Sequence, residues 1–322
     1  MSAEPPADRP EPHHHTHAPG ETVEAVEQAL TEFADAAKQA AEAVNKRAGR
    51  DMFAATAVGA VLLALVGASL VWLPWGFVVF GAALAVGAQI EIGRALRQQR
   101  DVNIVYAPLL VGTVCFIGGI YGVQIHAVGL GSKILLGVVG VMAVVVMVWR
   151  LRGPMEGYVR DVGSTFFLFM YPAVLVSGLM LILPQPQGDI RIAIVVVGVA
   201  ASDTGGHLVG MLIGKHKFSP RISPKKSWEG VGGSFLLSMI LVALMTTFLL
   251  HQAWWKGVVL AAGIVVVGIL GDLVESVIKR DLGIKDMSHL LPGHGGIMDR
   301  IDSYVLAAYP AWLLMLWLFP HG

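Results

Sequence analysis

A single cysteine, Cys115, in 322 residues leaves no partner for an intrachain disulfide, so the residue reads as a small apolar side chain. Charge is scarce as well. Asp, Glu, Lys and Arg make up 14% of the chain, against about 25% in soluble domains, which excludes an ordinary water-soluble domain. The net charge of zero conceals an imbalance: residues 1–51 hold 10 acids and 5 bases, leaving 13 acids against 18 bases beyond them. Residues 1–20 lack an apolar run. Rich in Pro, Glu and His, they predict a disordered tail and not a signal peptide. Within them, His13-His14-His15-Thr16-His17 reads as a solvated tract, with transition-metal binding as the alternative.

What is abundant is apolar: 55% of the residues are hydrophobic and the mean hydropathy is +0.66. A bilayer crossing needs roughly 20 apolar residues. Nine stretches qualify, near 52–72, 75–95, 103–125, 131–150, 162–183, 190–212, 231–251, 254–278 and 303–320. The expected fold class is all-α, a polytopic membrane protein with about nine transmembrane helices. A disordered tail precedes them, then an amphipathic helix ending near residue 50, with Val23, Val26, Leu30, Phe33 and Ala37 on one face. Residues 1–50 form an N-terminal extension and 51–322 a transmembrane domain. Loops on one side of this arrangement gather 18 cations, whereas the other side has only Lys133, Arg191 and Lys256. Basic loops stay inside, so the N-terminus and the charged loops should be cytoplasmic and the C-terminus external, as in a bacterial-type inner (plasma) membrane. No nucleic-acid partner is expected. The 38 glycines permit close helix packing and are compatible with a homodimer.

Residues 271–303 crowd charge between two apolar segments. An ionisable group inside a bilayer costs about 2.5–3.5 kcal/mol on insertion scales, so such a cluster marks function. Asp272, Glu275, Asp281, Asp286, Asp299 and Asp302 supply carboxylates; Lys279, Arg280, Lys285 and Arg300 supply cations. On a continuing helix Asp272, Glu275 and Lys279 share a face, and Asp299 and Asp302 repeat the i, i+3 spacing at the mouth of the last span. Paired carboxylates on two helix ends suit Mg²⁺, one ion or two, which prefers oxygen ligands and keeps places for phosphate. Between them Pro292-Gly293-His294-Gly295-Gly296 is a loop whose amides can approach phosphate. The plainer alternative is a solvated, helix-capping loop.

A second interruption, Ser202-Asp203-Thr204-Gly205-Gly206-His207, falls inside an apolar run. Its acid needs a metal or a cation as partner, and the glycines predict a locally broken helix lining a polar cavity. The following loop carries Lys215, Lys217, Arg221, Lys225 and Lys226 around two Ser-Pro turns, with Ser223 and Ser227 as further donors to phosphate. Glu91 in span two reads as a carboxylate at a helix end in the interface, with a part in the site or in lipid-headgroup positioning as the alternative. Tyr171-Pro172 in span five reads as a packing aromatic beside a kink.

The stretch from Ser276 through Ile278-Lys279-Arg280, Lys285-Asp286, Ser288, Leu291-Pro292 and His294-Gly295-Gly296-Ile297 to Asp299-Arg300-Ile301-Asp302 resembles the signature of the phosphatidate cytidylyltransferases (CDP-diacylglycerol synthases). It departs from that pattern at none of its 27 positions. Ser223-Pro224-Lys225-Lys226-Ser227 with Glu229-Gly230 is similar to the family's second block, and the segment around Asp203 is similar to the sequence before it. The resemblance covers roughly 200–302, the expected catalytic part. It implies transfer of CMP from CTP to phosphatidic acid, a membrane lipid, giving CDP-diacylglycerol and pyrophosphate for phospholipid biosynthesis.

On that reading Asp203, Asp272, Glu275, Asp299 and Asp302 are candidate metal ligands. Lys215, Lys217, Ser223, Lys225, Lys226, Ser227, Lys279, Arg280, Lys285 and Arg300 are candidate contacts to the triphosphate or the lipid phosphate. Asp272, Asp286, His294 and Asp299 are candidate catalytic groups; Asp286 and His294 would orient the phosphates or assist proton transfer, and His294 is equally suited to a loop hydrogen bond. Two other classes compete. A CTP-dependent kinase of a lipid alcohol would share a cationic membrane-edge site, and a transporter would use broken spans and midplane acids.

Overall fold

The computed structural model describes residues 64–70, 72–126, 130–288, 290 and 295–320. The expected N-terminal tail and amphipathic helix, and most of the first expected span, lie outside the described residues. Residues 64–70 are helical. Helix α1 (Pro74–Arg100) starts on a proline, whose missing N–H is harmless in a first turn. It ends with Arg97 and Arg100 in its last turn, where cations suit the helix dipole. Helices α2 (Tyr106–His126) and α3 (Leu130–Arg150) follow. Next come α4 (Tyr158–Leu168), a π-helical turn (Phe169–Val174) and α5 (Leu175–Ile182), which run on as one rod. Helix α6 (Gly188–Ile213) leads through strands β1 (Lys217–Ser219) and β2 (Ser223–Ser227) to α7 (Trp228–Phe248), α8 (Trp254–Asp281) and α9 (Met298–Leu318).

Among the described residues seven helices are long and apolar enough to cross a membrane: α1, α2, the Tyr158–Ile182 rod, α6, α7, α8 and α9. The expected span at 131–150 corresponds to α3, whose apolar stretch is the shorter Leu135–Arg150. Outward faces carry Leu136, Leu244 and Trp317, as a hydrocarbon surround favours. The protein is nearly all-α, and the exception among the described residues is the antiparallel β1–β2 hairpin with Lys217 opposite Ser227. Phe218 packs edge-on against Trp228 at 4.7 Å, closing the hairpin onto the start of α7.

One local expectation needs correction. Helix α6 is not interrupted at 202–207. Its glycines serve contact instead, since a Cβ on Gly205 would stand 2.4 Å from the Gly233 carbonyl oxygen and one on Gly233 2.5 Å from that of Gly205. The two backbones therefore touch, and Ser234 Oγ donates across the seam to Ser202 O at 2.7 Å. At Pro172 the chain widens into a π turn, which dispenses with the α-helical bond that a proline cannot donate.

The loop cations are not all solvated. Arg150, at the end of α3, is buried against the fully buried Asp161 of α4, with Nη2 and Nε donating to Oδ2 at 2.8 and 3.0 Å. Asp161 also accepts from the Asn103 amide at 3.1 Å. One ion pair thus ties α3, α4 and the α1–α2 connection together at the basic end of the bundle.

Candidate active site

Helices α8 and α9 cross at Gly271, where a Cβ would lie 2.6 Å from the Asp302 carbonyl oxygen. Without that atom α9 comes close enough to bring Asp302 beside the carboxylate face of α8. Asp272, Glu275 and Asp302 each offer an oxygen, and these lie within 4.8 Å of one another. Like charges so close need cations. Lys226 of β2 reaches Asp272 Oδ2 at 2.5 Å, delivered by the hairpin. Lys279, one turn beyond Glu275 on α8, pairs with Glu275 and with Asp299 Oδ1, the latter at 2.8 Å. Two ammonium groups against four carboxylates leave negative charge to be neutralised. Asp203 on α6 adds to it, lying within electrostatic reach of Asp272, Asp302 and Lys226.

The donor set fits a hard divalent cation. Glu275 is 1% exposed, and its Oε1 is buried with no hydrogen-bond partner among the described residues. A carboxylate with an orphaned oxygen, grouped with two further carboxylates, suits a cation, and oxygen ligands are what Mg²⁺ takes.

Asp299 is occupied differently. Its Oδ1 receives Lys279, and its Oδ2 accepts from the Met287 amide at 3.0 Å and the Gly296 amide at 2.7 Å. It therefore gathers both ends of the 287–296 stretch around one carboxylate. Gly295 turns there with φ of 79°, a conformation that suits glycine.

Glu91 does the complementary work from α1, and the sequence alone assigns it no role in the site. It is 5% exposed and lies well inside α1, which continues to Arg100; the expected interfacial helix-end role is corrected. Its carboxylate accepts from the Ile297 and Met298 amides, both at 2.9 Å, and from Ser288 Oγ at 2.6 Å. It thereby caps the N-terminus of α9, where a carboxylate meets the positive end of the helix dipole. The sequence signal was only an acid out of place in an apolar helix.

The remaining candidates spread outward. Ser227 is buried as the N-cap of α7, its hydroxyl accepting from the Gly230 amide at 3.1 Å. Glu229 accepts from the Lys215 and His216 amides and contacts His216 Nδ1 at 2.6 Å, anchoring the hairpin. Lys215, Lys217, Lys225, Arg280, Lys285 and Asp286 are exposed; Ser223 and Arg300 are half-buried. His294 lies outside the described residues. Of the candidate phosphate contacts, the structure brings Lys226 and Lys279 directly onto the carboxylates.

Residues 53–319 match the profile of a family described as "Cytidylyltransferase family". The chain is 39% identical over 295 residues to a phosphatidate cytidylyltransferase of Mycobacterium bovis, covering 87% of this chain and 93% of that protein. A protein of the same name from Mycobacterium leprae is 39% identical over 287 residues, 84% of this chain and 89% of the relative. One from Pseudomonas aeruginosa is 42% identical over 143 residues, 44% and 52% of the two chains.

Proposed function

The chain belongs to the cytidylyltransferase family, and on that premise we propose that it transfers CMP from CTP to phosphatidic acid, forming CDP-diacylglycerol and pyrophosphate. It is a nucleotidyltransferase of the membrane. The observation that carries the site assignment is the meeting of Asp272, Glu275 and Asp302 at the α8–α9 crossing between Lys226 and Lys279. An oxygen of the lipid phosphate, already ionised near neutral pH, attacks the α-phosphorus of CTP. That P–O bond forms as the bond to the β-phosphate oxygen breaks, and the electron pair leaves with pyrophosphate. No hydroxyl of the protein needs activation. The barrier is repulsion between two anions.

Lys226 and Lys279 lower that repulsion and fix the phosphates beside the carboxylates. Mg²⁺ held by Asp272, Glu275 and Asp302, with Asp203 nearby, would supply further charge neutralisation and orientation. Asp299 and Glu91 position the 287–298 stretch that borders the site. In this reading Lys215, Lys217, Ser223, Lys225, Arg280, Lys285 and Arg300 form the outer ring that receives the triphosphate or the lipid headgroup. Asp286 orients the phosphates or assists proton transfer, and the same role is assigned to His294, which lies outside the described residues. We further assign nine spans to residues 51–322, the hairpin to the cytoplasmic side and the C-terminus to the outside.

The test uses the purified chain in detergent with phosphatidic acid, Mg²⁺ and CTP labelled in the α- or the γ-phosphate. The α label should move into lipid and the γ label should leave as pyrophosphate. A γ label found in lipid would mean a kinase and overturn the proposal; so would incorporation of neither label.

A further inference from the structure

The π turn packs against α9 and sets Tyr171 within electrostatic reach of the carboxylates. Tyr171 is 5% exposed, and its hydroxyl is buried with no hydrogen-bond partner among the described residues. Leaving a buried hydroxyl unpaired is destabilising, and buried tyrosines ordinarily find a partner. The charges of Asp302, Glu275 and Asp272 all reach the phenol oxygen. Phe167 stacks on the ring at 5.5 Å and 24° between planes, which holds its orientation. Packing accounts for the ring. It does not account for the hydroxyl, because phenylalanine would fill the same space without an unpaired donor.

Two orphans therefore share one neighbourhood: a donor at Tyr171 and an acceptor at Glu275 Oε1. They do not satisfy each other, and a molecule that serves both offers an acceptor oxygen to the phenol and a donor or a cation to the carboxylate. A phosphate bound with a divalent cation does both. π turns recur at functional sites, and this turn packs directly against α9, the helix that carries Asp302.

Resting on the functional reading above, we propose that Tyr171 contacts substrate, its O–H donating a hydrogen bond to a phosphate oxygen of the molecule seated on Asp272, Glu275 and Asp302. The phosphate is that of the nucleotide or of the lipid.

The test compares the full chain with Tyr171→Phe in the same detergent. Four quantities are measured: thermal midpoint without ligands, Mn²⁺ affinity by electron paramagnetic resonance without nucleotide, and kcat/KM for CTP and for phosphatidic acid. Expected are an unchanged or higher midpoint, unchanged Mn²⁺ affinity, and kcat/KM lower by about 10-fold to 100-fold, the worth of one hydrogen bond to a charged acceptor. A loss carried by the KM for CTP identifies the triphosphate as acceptor; one carried by the KM for phosphatidic acid identifies the lipid phosphate. Turnover equal to that of the wild type overturns the inference. So does a lowered midpoint, which would make the hydroxyl structural, or a fall in Mn²⁺ affinity that matches the loss of turnover, which would make it a support for the carboxylates. A wild-type chain that transfers no label removes the functional reading itself, whereas an active wild type beside an equally active Tyr171→Phe removes the role of the hydroxyl alone.

Discussion

Asp272, Glu275 and Asp302 have oxygens within 4.8 Å of one another, a grouping that is stable only if cations answer it. Asp272→Ala or Asp302→Ala should lower turnover by about 100-fold or more while the protein still inserts and purifies. Near-normal rates would remove that residue from the site. Glu91 acts at a distance. Glu91→Ala strips the acceptor from two α9 amides and from Ser288, costing about 1–3 kcal/mol. The variant should show a lower thermal midpoint together with reduced turnover, and an unchanged midpoint would contradict the capping role. The i, i+3 spacing of Asp272 and Glu275 is legible in the sequence because both belong to one helix. Asp302 is legible as an acid at the mouth of the next. Glu91 is not, because the amides it caps lie 206 and 207 positions away, and no local pattern encodes that pairing. Asp299 shows the opposite difficulty: its spacing marks it as a ligand, and only the fold shows both of its oxygens engaged by Lys279 and two amides.

The helices are legible in outline from apolar length, and their crossings are not. Composition reports many glycines; it does not report that Gly271 is where α8 admits the backbone of α9 at Asp302. Gly271→Ala should force α9 away from α8, since its Cβ would meet the Asp302 carbonyl oxygen at 2.6 Å, at a cost of about 1–3 kcal/mol. Turnover should fall more than stability, because the displaced residue carries Asp302; a variant as active as the wild type would argue against the crossing. The α3–α4 ion pair gives the contrasting case. Asp161→Ala strands the buried Arg150 guanidinium, worth about 3–5 kcal/mol when one partner is removed. The expected result is a large drop in thermal midpoint with metal affinity retained in the folded fraction. The β1–β2 hairpin was hidden in the sequence by its Ser-Pro pairs, which read as loop. Pro224 is tolerated there because the sheet has only two strands, each of them an edge.

Across the whole molecule the charge distribution sets where the chemistry can happen. The hairpin with Lys226 and the far end of α8 with Lys279 converge on one end of the bundle, and the α7–α8 connection with Gln252 lies at the other. Because Cys115 is the sole cysteine, a Cys115→Ser background allows single cysteines to report sidedness. Gln252→Cys should react with a membrane-impermeant thiol reagent in intact cells, and Arg221→Cys only after the membrane is opened; the reverse pattern would invert the orientation. The acidic group at the α8–α9 crossing is central as a proposed metal site that serves CMP transfer. The most direct measurement is therefore Mn²⁺ affinity and Mg²⁺-dependent turnover of the wild type beside Asp302→Asn, which removes a charge and preserves shape. The account predicts saturable Mn²⁺ binding in the wild type, weakened by about 10-fold to 100-fold in the variant, with turnover falling alongside it. An Asp302→Asn protein that binds Mn²⁺ and transfers the α label as the wild type does would contradict it.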